Sequence, residues 1–398
     1  MTTPTSTYRM KLVYLSNMFN HHQKPLADNL YKLLGDGNYY FVETQEMREE
    51  QKKLGYVQYN EPYILKLDIK TKNIIIKMIS EFDVVICGEA PLSLVKERYK
   101  RNLLTFRDDE CRYKGIIKYL KWPIYTLDSL MYNKGYLLSA SAFGPVDYVL
   151  SGMKQNKIFR WGYFPEVCQF NIDDIFNKKK KNGIQQKVEV SIVWVGRLIG
   201  WKHPESTIYL ARVLRSIGIS HQIRIVGTGP KQKSIESLIS KYHLEKNIVL
   251  EGAKSSDRVR EYMLKSDIAI ITSDRQEGWG AVVNETMNSA CAVVACENIG
   301  AVPYLIKNNI NGLTFKDCDW KTMTEQVLWL IEHPDKRMEM GINAYKTMVN
   351  IWNAEIASKN LLLLIEFLRN GKLLDLKEGP CSLAPIIFRK SKLGFRSI

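Results

Sequence analysis

Between Ser273 and Cys296 the sequence reads SDRQEGWGAVVNETMNSACAVVAC, with two glutamates, Glu277 and Glu285, separated by seven residues. Glu277 sits in a Gly-flanked loop after a strand-like run. Glu285 lies about two turns further on, in a segment of helical spacing, so both carboxylates can point into one groove. Carboxylates accept hydrogen bonds from hydroxyls. Gly278 and Gly280, on either side of Trp279, let backbone approach a ligand closely. The amides of Ala281, Val282 and Val283 open the helix, and a helix start is a ready anion site. Carboxylates for hydroxyls beside amides for phosphate suit a ligand that carries both, as a nucleotide sugar does. Taken alone, the pair also reads as two acids favouring the positive end of a helix.

Two other stretches offer complementary chemistry. In GRLIGWKHP, 196–204, Arg197 follows Gly196 at a strand end, and Lys202 stands five residues on, across a turn. Two cations there can clamp a diphosphate, Arg as a planar fork and Lys as a point charge. They would also stabilise charge on a departing diphosphate. Either one alone is equally a surface cation in a loop. In IVGTGP, 225–230, Gly227 and Gly229 make a tight turn that allows close contact with a base or ribose. By itself that motif is only a turn.

The first half offers weaker candidates. NMFNHHQKP, 17–25, places His21, His22 and Lys24 in the loop after the first strand, where they could face donor phosphates or an acceptor. No further ligands stand nearby for a metal. TFRDDE, 105–110, puts Arg107 beside Asp108 and Asp109, either in a cleft or in a surface ion-pair cluster. Segment 96–121 is basic (Lys96, Arg98, Lys100, Arg101, Arg107, Arg112, Lys114, Lys118, Lys121), with Leu103, Leu104, Tyr113, Tyr119 and nearby Trp122 interleaved or adjoining. It reads either as a solvated helix face over core aromatics or as a surface for anionic lipid headgroups.

The elements that position these residues alternate. Strand-like runs at KLVYLS, YYFVET, DVVICG, LLTFRDDE, IYTLDSL and GYLLSAS are spaced by helical patterns, which predicts an α/β fold with a doubly wound parallel sheet. NIDDIFNKKKKNGIQQK, 171–187, has four consecutive lysines and no evident apolar face, and reads as a solvated linker. The rhythm restarts at VSIVWVG and continues through HQIRIVG, NIVLEG, DIAIITS, CAVVACE and GLTF, with helices filling 320–370. Two such domains in tandem, 1–180 and 187–349, would place ligands at the carboxyl ends of their strands, in the groove between them.

Composition narrows the partners. With 398 residues, 45% hydrophobic and 25% charged, the chain is long enough for two globular cores. The N-terminus lacks the pattern of a signal peptide, and the longest apolar runs, such as Ile74–Ile76, are strand-sized, far short of the ~20 residues of a membrane span. Seven cysteines without a CxxC pair read as small buried hydrophobes in a reducing cytoplasm. The net charge of +15 is spread over both halves. It suits phosphorylated ligands or an anionic membrane surface, whereas no zinc-finger spacing or RNP-like motif points to nucleic acid.

Together Gly-Arg…Lys, Gly-x-Gly, the spaced glutamates and GAVPYLIKNNINGLTF, 300–315, resemble the donor domain of the retaining glycosyltransferases of family 4, over about 190–350. The resemblance implies a GT-B fold: two Rossmann-like domains facing a central cleft, the first completed by about 350–398 through a last helix that crosses back. It implies that Arg197 and Lys202 grip the diphosphate, Glu277 contacts the donor sugar, Gly280, Ala281 and Val282 give amides to phosphate and sugar, and Glu285 binds ribose. It further implies a metal-independent transfer from a nucleotide sugar, UDP-sugar favoured, to a glycan or lipid-linked acceptor in bacterial surface polysaccharide synthesis, in the cytoplasm or at the inner membrane face. Two positions depart from the family. His203 stands where Gly often follows the lysine, and Trp279 stands where Phe is common and would narrow the sugar pocket. The alternatives are a nucleotide-sugar epimerase of the same fold and an inactive partner subunit.

Overall fold

The computed structural model describes residues 10–47, 57–110, 135–371 and 374–389. The chain divides into two compact units, Met1–Glu166 with Ile351–Phe388, and Val167–Asn350 with the terminal residues Arg389–Ile398. The first unit therefore ends before residue 180, and the second begins before the stretch expected to link them.

Among the described residues the first unit holds a seven-stranded sheet in the order β3-β2-β1-β4-β5-β6-β7. The strands are β1 (Leu12–Ser16), β2 (Tyr39–Glu43), β3 (Ile64–Lys66), β4 (Val84–Cys87), β5 (Thr105–Asp109), β6 (Tyr136–Ser139) and β7 (Ile158–Arg160). Every pairing is parallel. β1 and β4 are buried at every residue, which is why they read as continuous apolar runs. The helix Ala354–Asn370 belongs to this unit and packs on the helix Lys24–Leu34, burying Leu361, Leu362, Leu364 and Ile365. The strand expected at IYTLDSL lies outside the described residues.

The short apolar run Ile74–Ile76 lies within the helix Lys72–Glu81; only Ile75 is buried, while Ile74 and Ile76 are exposed. Two sequence readings change here. The basic stretch from 96 is not a uniform face. Arg98 is 1% exposed, and its guanidinium donates to the carbonyls of Ile79, Phe82, Asp83 and Leu104 and to Thr105 Oγ1. It closes orphan carbonyls inside the unit, as a buried cation must. Lys96, Lys100 and Arg101 are exposed; Arg112, Lys114, Lys118 and Lys121, with Tyr113, Tyr119 and Trp122, lie outside the described residues.

The second change concerns the lysine run. Residues Ile172–Gln186 form a helix of the second unit, capped by Asn171, whose side chain accepts from the Asp173 amide. Ile175, Lys179 and Asn182 fall on one buried face at helical spacing. Lys179 is 3% exposed, with Nζ bonded to the Ser266 carbonyl and 3.8 Å from Cys291 Sγ. One lysine of four thus faces inward, which a count of charges could not show.

Among the described residues the second unit holds six parallel strands in the order β10-β9-β8-β11-β12-β13. They are β8 (Val190–Val195), β9 (His221–Val226), β10 (Ile248–Gly252), β11 (Ile268–Ile271), β12 (Ala292–Cys296) and β13 (Leu313–Phe315). Both units are Rossmann-like. In each, the strand order reverses beside the first strand, at β1/β4 and β8/β11, and such reversals leave a crevice at the carboxyl ends of the strands. Cys87, Cys291, Cys296 and Cys381 are buried, Cys168 is half-buried and Cys318 is exposed. No described helix is long and apolar enough to cross a membrane.

Candidate functional site

Four sequence motifs of the second unit converge at the β8/β11 reversal. The first two meet through backbone. Gly227 and Gly229 have φ of +135° and +159°, and a Cβ on Gly227 would lie 2.0 Å from the Gly196 carbonyl oxygen. A Cβ on Gly229 would stand 2.6–2.9 Å from the backbone of Leu198. The glycines therefore seat the β9 turn directly on the loop after β8, bonded there by Leu198 N to Thr228 O at 2.9 Å. The close approach they allow is to protein backbone. Gly227→Ala is expected to cost about 2–5 kcal/mol, from backbone strain and overpacking together. Chemical denaturation checks this, and a loss under about 0.5 kcal/mol would contradict the seating.

The loop after β8 runs from Gly196 through the short helical turn Gly200–Lys202. Arg197 is exposed at its start. The Lys202 stem crosses Gly196, where a Cβ would come within 3.0 Å of its Cδ. Its carbonyl accepts from Thr272 Oγ1 at 2.7 Å, and Thr272 in turn accepts from Trp194 Nε1 at 2.9 Å. Asp274 N bonds Trp201 O at 2.9 Å, and the Lys202 ammonium lies 4.9 Å over the Trp201 ring. This brings the third motif to the first. Lys202 Nζ and Glu277 Oε2 form an ion pair at 2.5 Å, with side chains 14% and 15% exposed. The fourth motif closes on the same loop: Gly300 N donates to Glu277 O and Ala301 N to Trp279 O, at 3.3 and 2.9 Å.

His203 accounts for its own departure from the family. It sits at φ +49°, ψ 53°, the left-handed region that glycine enters freely. Histidine is held there by Glu205 at 3.3 Å and Asp274 at 3.3 Å. Hydrogen bonding to Glu205 and Asp274 raises the imidazole above its ordinary pKa, against burial. Burial would raise Glu205, but the bonds from His203 and Lys231 prevail and hold it at about 2. The loop therefore carries, beside Arg197 and Lys202, an imidazole whose protonated form is favoured by two carboxylates.

Gly280, at φ +93°, caps the helix Ala281–Asn288. Ala281 and Val282 occupy its first turn, where amides precede any intrahelical carbonyl. Burial pushes the Glu285 carboxyl up to about 7, with the Arg260 cation pulling the other way. Gly278 is buried and can offer only backbone. Trp279 is 1% exposed and donates from Nε1 to Asn284 Oδ1 at 2.9 Å, so its indole is packed into the core.

The first unit gathers acids and phenols at the carboxyl edge of its sheet. Tyr14 bonds Asp108, Tyr163 donates to Glu110 at 2.7 Å, and Asn17 donates to Glu89 at 2.7 Å. Burial, with the charges of Asp109 and Glu110 adding to it, lifts Asp108 to about 7 despite the Tyr14 bond. Arg107 pairs with Asp109 at 2.9 Å under the Tyr148 ring, in a partly buried network rather than on the surface. Lys24 is committed to Asp28 and Glu61 at 3.0 and 2.7 Å. Burial lowers His21, and burial with the neighbouring His21 takes His22 down to about 3, so both imidazoles are neutral at pH 7.

Residues 174–347 match the family model described as "Glycosyl transferases group 1". The chain is 25% identical over 226 residues to the amylovoran biosynthesis glycosyltransferase AmsK of Erwinia amylovora, covering 54% of this chain and 55% of that one. It is 23% identical to N-acetyl-alpha-D-glucosaminyl L-malate synthase of Bacillus anthracis, over 50% and 51% of the two chains. It thus spans about half the length of the curated relatives it matches. Among solved structures, Anabaena Alr3699/HepE in complex with UDP superposes with a TM-score of 0.68 at 13% identity, over 90% of this chain and all of that one. A glycosyltransferase from Rickettsia africae gives 0.65 at 17%, over 91% and 100%. Those likenesses establish the fold: two parallel-sheet Rossmann-like domains of the GT-B kind.

Proposed function

We propose, from the premise that residues 174–347 are a group 1 glycosyltransferase domain, that this protein transfers a sugar from a nucleotide diphosphate sugar to a glycan or lipid-linked glycan hydroxyl. The observation that carries the reading is the convergence of Arg197, Lys202 and His203 with Glu277 and the Ala281–Val282 amides on one strand-order reversal. Cations and amides suit a diphosphate; Glu277 and Glu285 suit sugar and ribose hydroxyls.

In this reading the Arg197 guanidinium and the Lys202 ammonium stabilise negative charge as the diphosphate leaves, the part a metal plays in other transferases. The chemistry is retaining, the leaving phosphate taking the acceptor proton on the same face of the sugar. UDP is the favoured nucleotide, in keeping with the complex of Anabaena Alr3699/HepE. The carboxylate- and phenol-rich edge of the first unit favours an acceptor that presents hydroxyls there. Surface polysaccharide synthesis in the cytoplasm is the setting we favour, in line with the name of AmsK.

Calorimetric titration with UDP, GDP, ADP and dTDP and their common sugars tests the reading. One nucleotide is expected to bind, with Arg197→Ala weakening it about tenfold or more. Failure of folded protein to bind any of the four would move the inactive partner subunit to first place.

A further inference from the structure

Away from the diphosphate loops, the second unit has a hollow of about 290 Å³ between β13, the turn before it and the helix Trp320–Glu332. Asn309, Leu313, Thr322, Glu325, Gln326 and Trp329 line it. Its volume is that of roughly ten waters, close to one sugar ring with its hydroxyls. Three features set its chemistry. Trp329 is 39% exposed, a large indole in partial contact with water. One side of that ring is backed by His333, with centroids 4.8 Å apart and planes 22° from parallel, so the platform is held flat. Gln326 donates from Nε2 to Thr314 O at 2.8 Å, which fixes its amide, and leaves its Oε1 buried without a partner among the described residues. An unpartnered buried acceptor calls for a donor.

We propose that this hollow is a saccharide-binding site separate from the donor site. A pyranose has an apolar C–H face that stacks on a flat aromatic ring, and a rim of hydroxyls that both donate and accept. Trp329 supplies the first. Gln326 Oε1, Glu325 and Asn309 supply the acceptors, and Thr322 and the Asn309 amide supply polar partners for the remaining hydroxyls. A phosphate or an acidic lipid does not fit, because Glu325 is the charged group on the lining. Trp320, which starts the same helix, lies 6.3 Å from the His203 ring. Trp329 stands nine residues on, about 14 Å along the axis. A glycan held at Trp329 is thereby tethered to the unit that carries the diphosphate loop, which raises its local concentration there.

Affinity electrophoresis of the full chain through native gels containing soluble starch, a galactomannan or a mixed-linkage β-glucan tests the site. At least one polysaccharide is expected to retard the protein. Trp329→Ala is expected to weaken that retardation about tenfold, Trp329→Phe to keep most of it, and Gln326→Leu to weaken it severalfold. Glu285→Ala, a donor-site variant, is expected to be retarded like the parent. No retardation by any of the three, retardation untouched by Trp329→Ala, or equal loss in Glu285→Ala would each overturn the proposal. A protein that binds polysaccharide but no nucleotide would refute the transferase reading and leave this site standing.

Discussion

Lys202→Ala is expected to slow sugar transfer by about 10²–10³-fold in kcat, the loss that follows removal of one preorganised group facing developing negative charge. The same substitution is expected to destabilise the second unit. Lys202 Nζ stands 2.5 Å from Glu277 in a pair whose two side chains are about one-seventh exposed, so removing the ammonium leaves a largely desolvated carboxylate alone. Breaking such a pair costs up to about 3–5 kcal/mol when burial is complete, and less here, where some water reaches both groups. The two losses can be separated. Lys202→Met combined with Glu277→Gln removes both charges, and is expected to recover most of the stability and none of the turnover. Denaturation and a coupled assay of nucleotide diphosphate release, run as a double-mutant cycle, give both numbers. A kcat within about threefold of the parent in Lys202→Ala would remove the ammonium from the mechanism.

Glu285→Gln is expected to weaken nucleotide binding about 10–100-fold at pH 8, because hydrogen bonds to an ionised acceptor are worth more than those to a neutral one. It is also expected to raise the melting temperature at that pH. Burial moves this carboxyl from 4.5 up to about 7, so between those values the folded chain holds the proton more tightly than the unfolded chain. The stability linked to that proton is complete below pH 4.5, falls as pH rises through the window, and is gone above about 7. Glutamine does not ionise and escapes the loss, so the gain should be largest on the alkaline side. Nucleotide affinity of the parent is expected to rise from pH 6 to pH 8 as Glu285 ionises, and that of the variant to stay level at this step. Thermal melts and titrations at pH 5, 6.5 and 8 would show it. A variant that melts lower than the parent at pH 8 would mean that the ionised carboxylate has stabilising partners.

The strands were legible because both faces of a central parallel strand are buried; VVIC, IAII and AVVAC announce themselves as apolar runs. Periodicity failed where one face decided the matter with few residues. The helix Ile172–Gln186 hides its buried face behind Lys179 and Asn182. The four donor-unit motifs were legible as sequence, but not the reason for each. Gly227 and Gly229 admit a neighbouring loop, Trp279 fills the core, and Lys202 meets Glu277 across 75 positions. His203 is held first by Glu205, two residues on, and also by Asp274, 71 positions away, and only the second partner lay beyond local reading.

The helix Ala354–Asn370 completes the first unit although its residues come after the 167–350 segment that holds all the strands of the second. On the ribosome the order of completion therefore inverts the order of emergence. The 167–350 unit has its full set of strands once residue 350 has cleared the exit tunnel, while the unit whose first strand emerged earliest still lacks the partner of its helix Lys24–Leu34. During that interval the buried face of Lys24–Leu34, with Leu26, Leu30 and Leu34, is open to solvent or to chaperones. A nascent chain stalled with residue 350 just clear of the tunnel should accordingly resist protease in its 167–350 segment and be cut in its earlier one.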